Sequence, residues 1–541
     1  MRGETAILAL FVVASLAAAG AGSLVPARSP LRIVLPSKPA PPEEFAAREL
    51  VKYLAAMGNG EAQVVRAPAE GEIYLGALPV AMPATERQSI ESSLAGRDPD
   101  SFALRSTAHG LLIRGNSPRA HLYAAYHYLE SLGARWYFPG RDGEVVPRVA
   151  AKTTGYDTLQ VPSFRERGIV IFPTTPGLEE MVDFAAKAKL NSIGLHTWHD
   201  PKFSDLRAPE ILSMAEPRGL TVQIERHFFG ENFCPDDAAA LEQAMRDLLA
   251  LVAKMPAEVN DFFLWPADKF LSPCTSPAYR DHSVPDLILW FNNRMLATLR
   301  EARPQARFAH LAYLSTWETS TRERPVAGLL LEWAPIFQSL AQALDDSTSS
   351  QNSKDRNNFE ALVRIFGAPN TRVLGYWLDD TMALGNGYGK LMYSPDALKG
   401  DLNYYHRAGV PAVTTFGVIT GSNYFASHSS PAFFLYPALL WDVTRDPYAM
   451  VREFCREYLG AESAAEIYEL LSHADKMVYI ERAQVVRQRV NDPEFLATVS
   501  RALRQTEDLL RSQTDPVKLA RLARLVQEVA SRYVSPTRSP H

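Results

Sequence analysis

Cysteine, clustered basic residues and long apolar runs are all scarce in this 541-residue chain, and each scarcity excludes a class of protein. Three cysteines cannot build a disulfide framework or a cysteine-rich zinc module. A formal charge of −5 without any basic stretch argues against a nucleic-acid partner, which requires clustered Lys and Arg. No apolar run reaches the roughly 18–20 residues that cross a bilayer. The composition, 47% hydrophobic and 22% charged, is that of a soluble globular protein of about three domains.

Residues 1–23 have the layout of a secretory signal peptide. A positive charge precedes the apolar core Ala6–Val13, and small residues follow it. No cysteine occurs before Cys234, so a lipoprotein cleavage site is absent. We expect a periplasmic or secreted protein with no membrane span after cleavage, and the alternative is an uncleaved anchor. Export permits a disulfide, for which Cys234 and Cys274 are the favoured pair and Cys455 the remaining thiol.

Two kinds of α/β pattern follow one another along the chain. Residues 24–155 are predicted to form a small N-terminal α/β domain, with a helix that opens at Ser117-Pro118, an N-cap followed by Pro at the first helical position. From residue 156 to 425 a strand, loop and helix repeat, which is typical of parallel βαβ units. Eight strands are predicted there: Gly168–Phe172, Ser192–His196, Thr221–His227, Asp261–Asp268, Arg307–Tyr313, Gly328–Trp333, Val373–Asp380 and Ala412–Gly417.

Eight such strands over about 250 residues predict a (β/α)8 barrel. The expected fold class is therefore α/β, a TIM-like barrel preceded by the small α/β domain and followed by a helical C-terminal region, residues 426–541. One connection does not fit this pattern. Only Leu314–Ala327 lie between the fifth and sixth strands, which is too short and too polar for a crossover helix. Either that crossover is degenerate or one element has been divided into two.

The site of such a barrel lies at the C-terminal ends of its strands, where the loops can vary without disturbing the packed interior. Five of the eight tryptophans fall at or just past predicted strand ends: Trp198, Trp265, Trp317, Trp333 and Trp377. Amphipathic rings around a mouth suit a ligand with apolar C–H faces and hydroxyl edges, as sugars have. Six carboxylates are predicted at the same rim: Glu225, Asp268, Glu318, Glu332, Asp379 and Asp380.

Carboxylates in such a place favour a glycosidase, because glycoside hydrolysis uses one protonated carboxyl as acid and one ionised carboxyl as base or nucleophile. The alternative for Asp380 is an N-cap of the next helix. His196, His199 and His227 would form a metal site if they converged, but strand-end loops fix no ligand geometry, so no metal and no other cofactor is predicted. Hydrogen bonding to sugar hydroxyls is favoured over metal binding for these histidines, and for His196 a plain structural role is favoured over both. The glycine-rich Gly385–Gly389 is interpreted as a lid loop.

Two segments carry a resemblance to known families. Asn116–Glu130 followed by Leu132–Gly140, which contains Ala-Arg-Trp-Tyr-Phe-Pro, resembles the end of the small domain before the barrel in alpha-glucuronidases and beta-hexosaminidases. The remainder is similar to the DUF4838 family of bacterial proteins, whose Ala-Tyr pair is present as Ala312-Tyr313 and whose Tyr/Trp-rich seventh strand is present as Gly375–Asp379. The Asn-Asp that the family often carries on strand four is Ala267-Asp268 here, so the Asn is replaced.

The resemblance also implies roles. In the alpha-glucuronidases the acid comes from strand four, with carboxylates on strands six and seven opposite it. By position this implies Asp268 as the general acid and Glu332, with Asp379 or Asp380, as base candidates. An Asp at the acid position is shorter than the Glu of those enzymes, which is a departure from their pattern.

We therefore expect an exported glycoside hydrolase that acts on oligo- or polysaccharide-derived glycosides, with carbohydrate as its partner. The expected substrate-binding residues are His196, Trp198, His199, Glu225, His227, Trp265, Tyr313, Trp333, Tyr376 and Trp377. Two alternatives remain: a non-catalytic carbohydrate-binding protein on the same scaffold, and a metal-dependent hydrolase or lyase that uses the three histidines. The sequence does not specify the sugar or the oligomeric state.

Overall fold

The computed structural model describes residues 30–174, 176–197, 206–230, 233–379, 391–417, 431–479 and 492–533. The proposed signal peptide lies outside these ranges. Within them, no helix combines the length and the apolar character that a membrane crossing requires.

A six-stranded mixed sheet forms the N-terminal part. Its strands lie in the order β2-β1-β3-β5-β4-β8. The helices and strands of this N-terminal part are β1 (Arg32–Leu35), α1 (Pro41–Ala56), β2 (Gln63–Arg66), β3 (Ile73–Leu75), α2 (Ala84–Leu94), β4 (Phe102–Thr107), β5 (Gly110–Gly115), α3 (Pro118–Ser131), the short pair β6 (Arg135–Trp136) and β7 (Glu144–Val145), and β8 (Asp157–Gln160). Helix α3 begins as predicted, because the Ser117 hydroxyl accepts a hydrogen bond from the Ala120 backbone N–H and Pro118 occupies the first turn.

All eight predicted barrel strands are present and parallel. They are β9 (Glu166–Ile171), β10 (Ser192–Leu195), β11 (Thr221–His227), β12 (Asp261–Trp265), β13 (Phe308–Ala312), β14 (Leu329–Trp333), β15 (Thr371–Gly375) and β16 (Ala412–Thr415). The sheet order β12-β11-β10-β9-β16-β15-β14-β13 is that of a barrel. Its last seam is joined by backbone hydrogen bonds from Phe262 N–H to the Arg307 carbonyl, 3.0 Å, and from Arg307 N–H to the Asn260 carbonyl, 2.8 Å.

Helices surround this barrel. Those between strands are α4 (Leu178–Lys187), α5 (Ala208–Ala215), α6 (Ala238–Lys254), α7 (Val284–Ala302), α8 (Ser350–Phe366) and α9 (Pro395–Arg407). The connection from β13 to β14 is the degenerate one: residues 313–328 are all described, and they contain a single 3-10 turn, Leu314–Thr316.

The C-terminal region is helical, as predicted. It comprises α10 (Ala432–Trp441), α11 (Pro447–Phe454), α12 (Ala465–Val478), α13 (Pro493–Ser512) and α14 (Pro516–Tyr533). Helix α10 completes the outer ring of the barrel, because it packs on β9 and the Tyr436 hydroxyl donates to the Gly168 carbonyl at 2.8 Å.

Candidate active site

A continuous group of rings lines the C-terminal mouth of the barrel. His196 lies at its centre, with ring centroids 4.9 Å from Phe172, 5.4 Å from Trp265 and 5.4 Å from Phe416. The group extends through His227, Tyr313 and Tyr376. These seven residues follow or end seven of the eight strands, so rings gather at this end of the barrel, and one of the seven is a tryptophan.

Asp268 lies in the segment after β12 and is exposed. The phenol of Tyr313, which follows β13, donates a hydrogen bond to Asp268 Oδ1 at 2.6 Å. The same segment is fixed at two further points. The Ser315 hydroxyl accepts a hydrogen bond from Leu271 N–H at 2.7 Å, and Cys274 forms a disulfide with Cys234 of the loop after β11. An exposed carboxylate is therefore held at the mouth by a tethered loop.

Below the mouth, the barrel interior contains a buried charge cluster centred on Arg372. Its guanidinium forms an ion pair with Glu332 and lies 3.0 Å from Glu225 Oε1. Glu166 Oε1 is 3.5 Å away, at the lower end of the barrel. Trp265 Nε1 donates to Glu332 Oε2 at 2.6 Å, which joins this cluster to the aromatic lining above it.

Burial and charge set opposite ionisation states within this cluster. Burial raises the pKa of Glu225 to about 8 and also raises the pKa of Glu332. Burial opposes ionisation of Glu166 as well, but the charges of Arg307 and Arg372 outweigh it and hold its pKa at about 2. Both Glu225 and Glu332 are 0% exposed. They therefore differ from Asp268, which meets solvent directly.

Glu332, a predicted base, lies in the barrel interior and not at the mouth. It has no exposed surface, and both of its oxygens are engaged, one by Arg372 and one by Trp265. A carboxylate in this position holds the arginine and the indole and does not face a water in the mouth. Glu225, predicted as a substrate ligand, is buried against the same arginine.

The ring of five tryptophans at the mouth is a prediction that the structure corrects. Trp333 points outward, 0% exposed, with its ring 5.7 Å from Phe359 of α8. Trp377 also points away from the barrel axis, since its Nε1 donates to Asp401 of α9 at 2.8 Å. Trp317 donates to Asp355 of α8 at 2.9 Å. Neither Trp333 nor Trp377 is therefore placed to bind a sugar in the mouth, and Trp265 is the tryptophan within the described residues that faces it.

Asp379 and Tyr376 follow β15. Asp379 is 6% exposed and borders a small cavity whose other walls come from Leu340, Tyr376, Trp377, the segment 392–398 and α10. Tyr376 stacks on Phe416 with ring centroids 5.7 Å apart. The remaining predicted site residues, Trp198, His199 and Asp380, lie outside the described residues, as does the glycine-rich segment Gly385–Gly389.

The two described histidines of the proposed metal alternative are held by backbone carbonyls. His196 Nδ1 is 2.8 Å from the Glu225 carbonyl, and His227 Nδ1 is 2.5 Å from the Pro266 carbonyl. Burial, with the neighbouring charge of His227, lowers the pKa of His196 to about 3, so its ring is neutral and its Nδ1–H is the donor. Among the described residues no group of three or more His, Cys, Asp or Glu is arranged to hold a metal ion.

The sequence interpretation missed Phe172, Arg372 and Glu166. Phe172 closes the aromatic lining, and the signal that points to it is its position at the end of the first barrel strand. Arg372 organises the interior, but it precedes the predicted start of its strand, and a lone arginine there carries no sequence signal for a buried cluster.

The similarity of this chain to known proteins is in its structure. No protein-family model and no curated sequence matches it. BtGH115A, a family GH115 4-O-methyl-alpha-glucuronidase with specificity for decorated arabinogalactans, is similar with a TM-score of 0.63 at 14% identity, over 93% of this chain and 71% of that one. A GH138 enzyme targeting pectin rhamnogalacturonan II is similar with a TM-score of 0.61 at 11% identity, over 93% and 68%. CpGH84B is similar with a TM-score of 0.55 at 11% identity, over 92% and 86%.

These structural neighbours are glycoside hydrolases of several families, all matched at low identity. Such a likeness shows the shared fold. The resemblance to the DUF4838 family stays a prediction.

Proposed function

We propose that the protein is an exported glycoside hydrolase that acts on oligo- or polysaccharide-derived glycosides. The observation that carries the proposal is Asp268, an exposed carboxylate in the segment after β12 that accepts a hydrogen bond from Tyr313 beside an aromatic-lined mouth. Rings at that mouth suit the C–H faces of a sugar. The glycoside hydrolase neighbours support the same general class.

In the proposed reaction, Asp268 donates its proton to the glycosidic oxygen as the bond from the anomeric carbon to that oxygen breaks. Asp379 or Asp380 accepts a proton from the water that attacks the anomeric carbon from the opposite face. Glu332 acts indirectly, because it anchors Trp265 and Arg372 below the bound sugar. This arrangement gives inversion, for which the two working carboxyls stand roughly 6.5–9.5 Å apart.

The test begins with a panel of 4-nitrophenyl glycosides that includes the glucuronide. For an oligosaccharide or methyl glycoside of the sugar identified by the panel, whose alcohol leaving group needs a proton, Asp268→Asn is expected to lower kcat by about 10²–10⁴-fold, the range that general acid catalysis contributes. A glycosyl fluoride of the same sugar, whose leaving group needs no proton, should be hydrolysed by the variant at close to the normal rate. Asp281→Asn, an exposed carboxylate in the same connection between β12 and α7, is the matched control and should change neither rate.

Two outcomes would redirect the proposal. If Asp268→Asn lowered the activity towards both substrates equally, Asp268 would have a structural role and not an acid role. A wild-type protein that binds oligosaccharides but hydrolyses none of the panel would favour the non-catalytic carbohydrate-binding alternative.

Export forms a separate part of the proposal. It rests on the signal-like pattern of residues 1–23 and fits the disulfide between Cys234 and Cys274, since disulfides persist in oxidising compartments. N-terminal sequencing of the protein expressed in a host with a secretory pathway should begin near residue 24. A protein that retains Met1 in the cytoplasmic fraction would contradict it.

A further inference from the structure

A second cleft opens far from the barrel mouth. It has a volume of about 430 Å³ and lies where the end of α3, the turn from α4 to β10, and helices α10 and α11 meet. Lys189, in its wall, precedes β10, whereas His196 follows that strand at the mouth. The two residues lie at opposite ends of β10, whose four residues alone span about 13 Å. The cleft is therefore distinct from the proposed active site.

The lining of this cleft is aromatic and charged. Its aromatic side chains are mostly buried and border the cavity: Trp136, Tyr137, Phe434 and Trp441. Four cationic side chains, Arg135, Lys187, Lys189 and Arg445, and three acidic ones, Glu130, Asp442 and Glu453, complete the charged part of the wall.

Arg445 differs from the other three cations. Arg135 pairs with Glu453, Lys187 with Glu144, and Lys189 with Glu130. Arg445 is exposed at the rim, and no hydrogen bond or ion pair joins its guanidinium to any described residue. It is a charged, bidentate donor that faces the cleft and is available to a ligand.

Lys189 supplies a second, independent observation. It follows α4 with φ of 61°, a left-handed conformation that ordinarily favours glycine at the end of a helix. This chain has a lysine at that position. Its ammonium is buried in the cleft wall and lies 2.7 Å from both carboxylate oxygens of Glu130. Burial lowers the pKa of Lys189, and the nearby charges of Arg445 and Arg135 lower it further, so positive charge is crowded at this wall.

We propose that this cleft binds a sugar unit that carries a carboxylate, with Arg445 pairing the carboxylate. The cleft is large enough for a small-molecule ligand, whose sites span roughly 300–1,000 Å³. The aromatic lining suits the apolar face of a pyranose, and Glu130 and Asp442 accept hydrogen bonds from its hydroxyls. A simple anion would leave the aromatic part of the wall unused. This proposal does not depend on catalysis at the mouth.

Calorimetric titration of the full mature protein with D-glucuronate, D-glucose and acetate tests it. D-glucuronate is expected to bind with a Kd of about 1 mM, and D-glucose and acetate at least about 10-fold more weakly. Arg445→Ala should weaken D-glucuronate binding by about 10-fold or more, because a hydrogen bond to a charged group is lost. Arg452→Ala is the matched control, since Arg452 is an exposed arginine on α11 that does not line the cleft.

Three results would overturn the proposal. They are an absence of D-glucuronate binding up to about 50 mM, binding that Arg445→Ala leaves unchanged, and acetate binding as tight as that of D-glucuronate. The second result would place the ligand elsewhere, such as the barrel mouth, and the third would mean a simple anion site. Because the Arg445 side chain is exposed and no hydrogen bond or ion pair joins its guanidinium to a described residue, the variant is expected to fold normally, which its thermal unfolding checks.

Discussion

The Tyr313 hydroxyl donates a hydrogen bond to Asp268 Oδ1 at 2.6 Å, across the seam that joins β12 to β13. The two residues come from separate loops, so this hydrogen bond orients the carboxylate relative to the barrel. In the proposed reaction the orientation of Asp268 decides whether its proton reaches the glycosidic oxygen. Tyr313 is therefore a positioning residue for the proposed acid.

Tyr313→Phe is expected to lower kcat by about 10- to 100-fold, the equivalent of a hydrogen bond of about 1.5–3 kcal/mol to a charged group. The glycosyl fluoride should again be spared, because its departure needs no acid. Tyr279→Phe, in the same connection between β12 and α7 as Asp268, serves as the control and should leave both rates unchanged. Equal losses with both substrates would mean that Tyr313 acts on sugar binding and not on Asp268.

The raised pKa of Glu225 predicts that the stability of the fold depends on pH. The folded protein holds the Glu225 proton up to a pKa of about 8, whereas an ordinary glutamate releases its proton near 4.5. Between these values folding takes up a proton, so this group stabilises the fold most at the acid end and less as the pH rises through the interval. We therefore compare the melting temperature of Glu225→Gln with that of wild type at each pH. The variant is expected to gain on wild type between pH 5.5 and pH 8.5, because only wild type can lose the proton.

The comparison requires thermal unfolding of wild type and Glu225→Gln over that pH range. Glu318→Gln, at an exposed glutamate after β13, is the control and should follow the wild-type curve. Parallel curves for wild type and Glu225→Gln would show that Glu225 does not retain its proton in the folded state.

The eight barrel strands were predictable because each is a short, buried, mostly apolar run followed by a loop and a helical pattern. The direction in which the side chains at the mouth point was not predictable from the sequence. Glu332 and Trp333 are neighbours on β14, so one must point inward and the other outward. Both faces of a barrel strand are buried, and the sequence therefore shows the strand without showing which face is interior. The prediction that Trp333 faces the mouth failed for this reason.

Arg372 shows a second limit of the sequence. It lies one residue before Val373, where the predicted strand began, and a charged residue is seldom found inside a fully buried strand. The barrel brings Glu166, Glu225 and Glu332 around Arg372 from three other strands. Such compensation depends on contacts between residues distant in the chain, which periodicity and spacing do not contain. Glu225 and Glu332 were found by sequence and Glu166 was not, and the division between mouth and interior required the fold.

Arg372 is expected to be a stability residue of the barrel. Arg372→Met leaves Glu332 buried without its counter-ion and removes the hydrogen bond to Glu225, and removal of one partner from a buried ion pair typically costs about 3–5 kcal/mol. Denaturant unfolding measures the change. Arg246→Met, an exposed arginine on α6 whose carboxylate partner is also on the surface, should change the free energy of unfolding by less than about 0.5 kcal/mol. Similar values for the two variants would mean that the interior cluster is solvated.

The disulfide between Cys234 and Cys274 gives the last prediction, because it closes a 40-residue separation and anchors the segment that carries Asp268. Alkylation of the unfolded protein should label one cysteine, Cys455, before reduction and all three after it. The double variant Cys234→Ala, Cys274→Ala should lose about 2–4 kcal/mol of stability, as removal of a cross-link from the chain typically does.

Dithiothreitol provides the control for that measurement. It should lower the stability of the wild-type protein towards that of the double variant and leave the double variant unchanged. We also expect kcat to fall in both cases, because the loop of Asp268 loses its anchor to the loop after β11. A wild-type protein in which all three cysteines are alkylated without reduction would mean that the bond does not form, and the role assigned to it as an anchor of Asp268 would then be wrong.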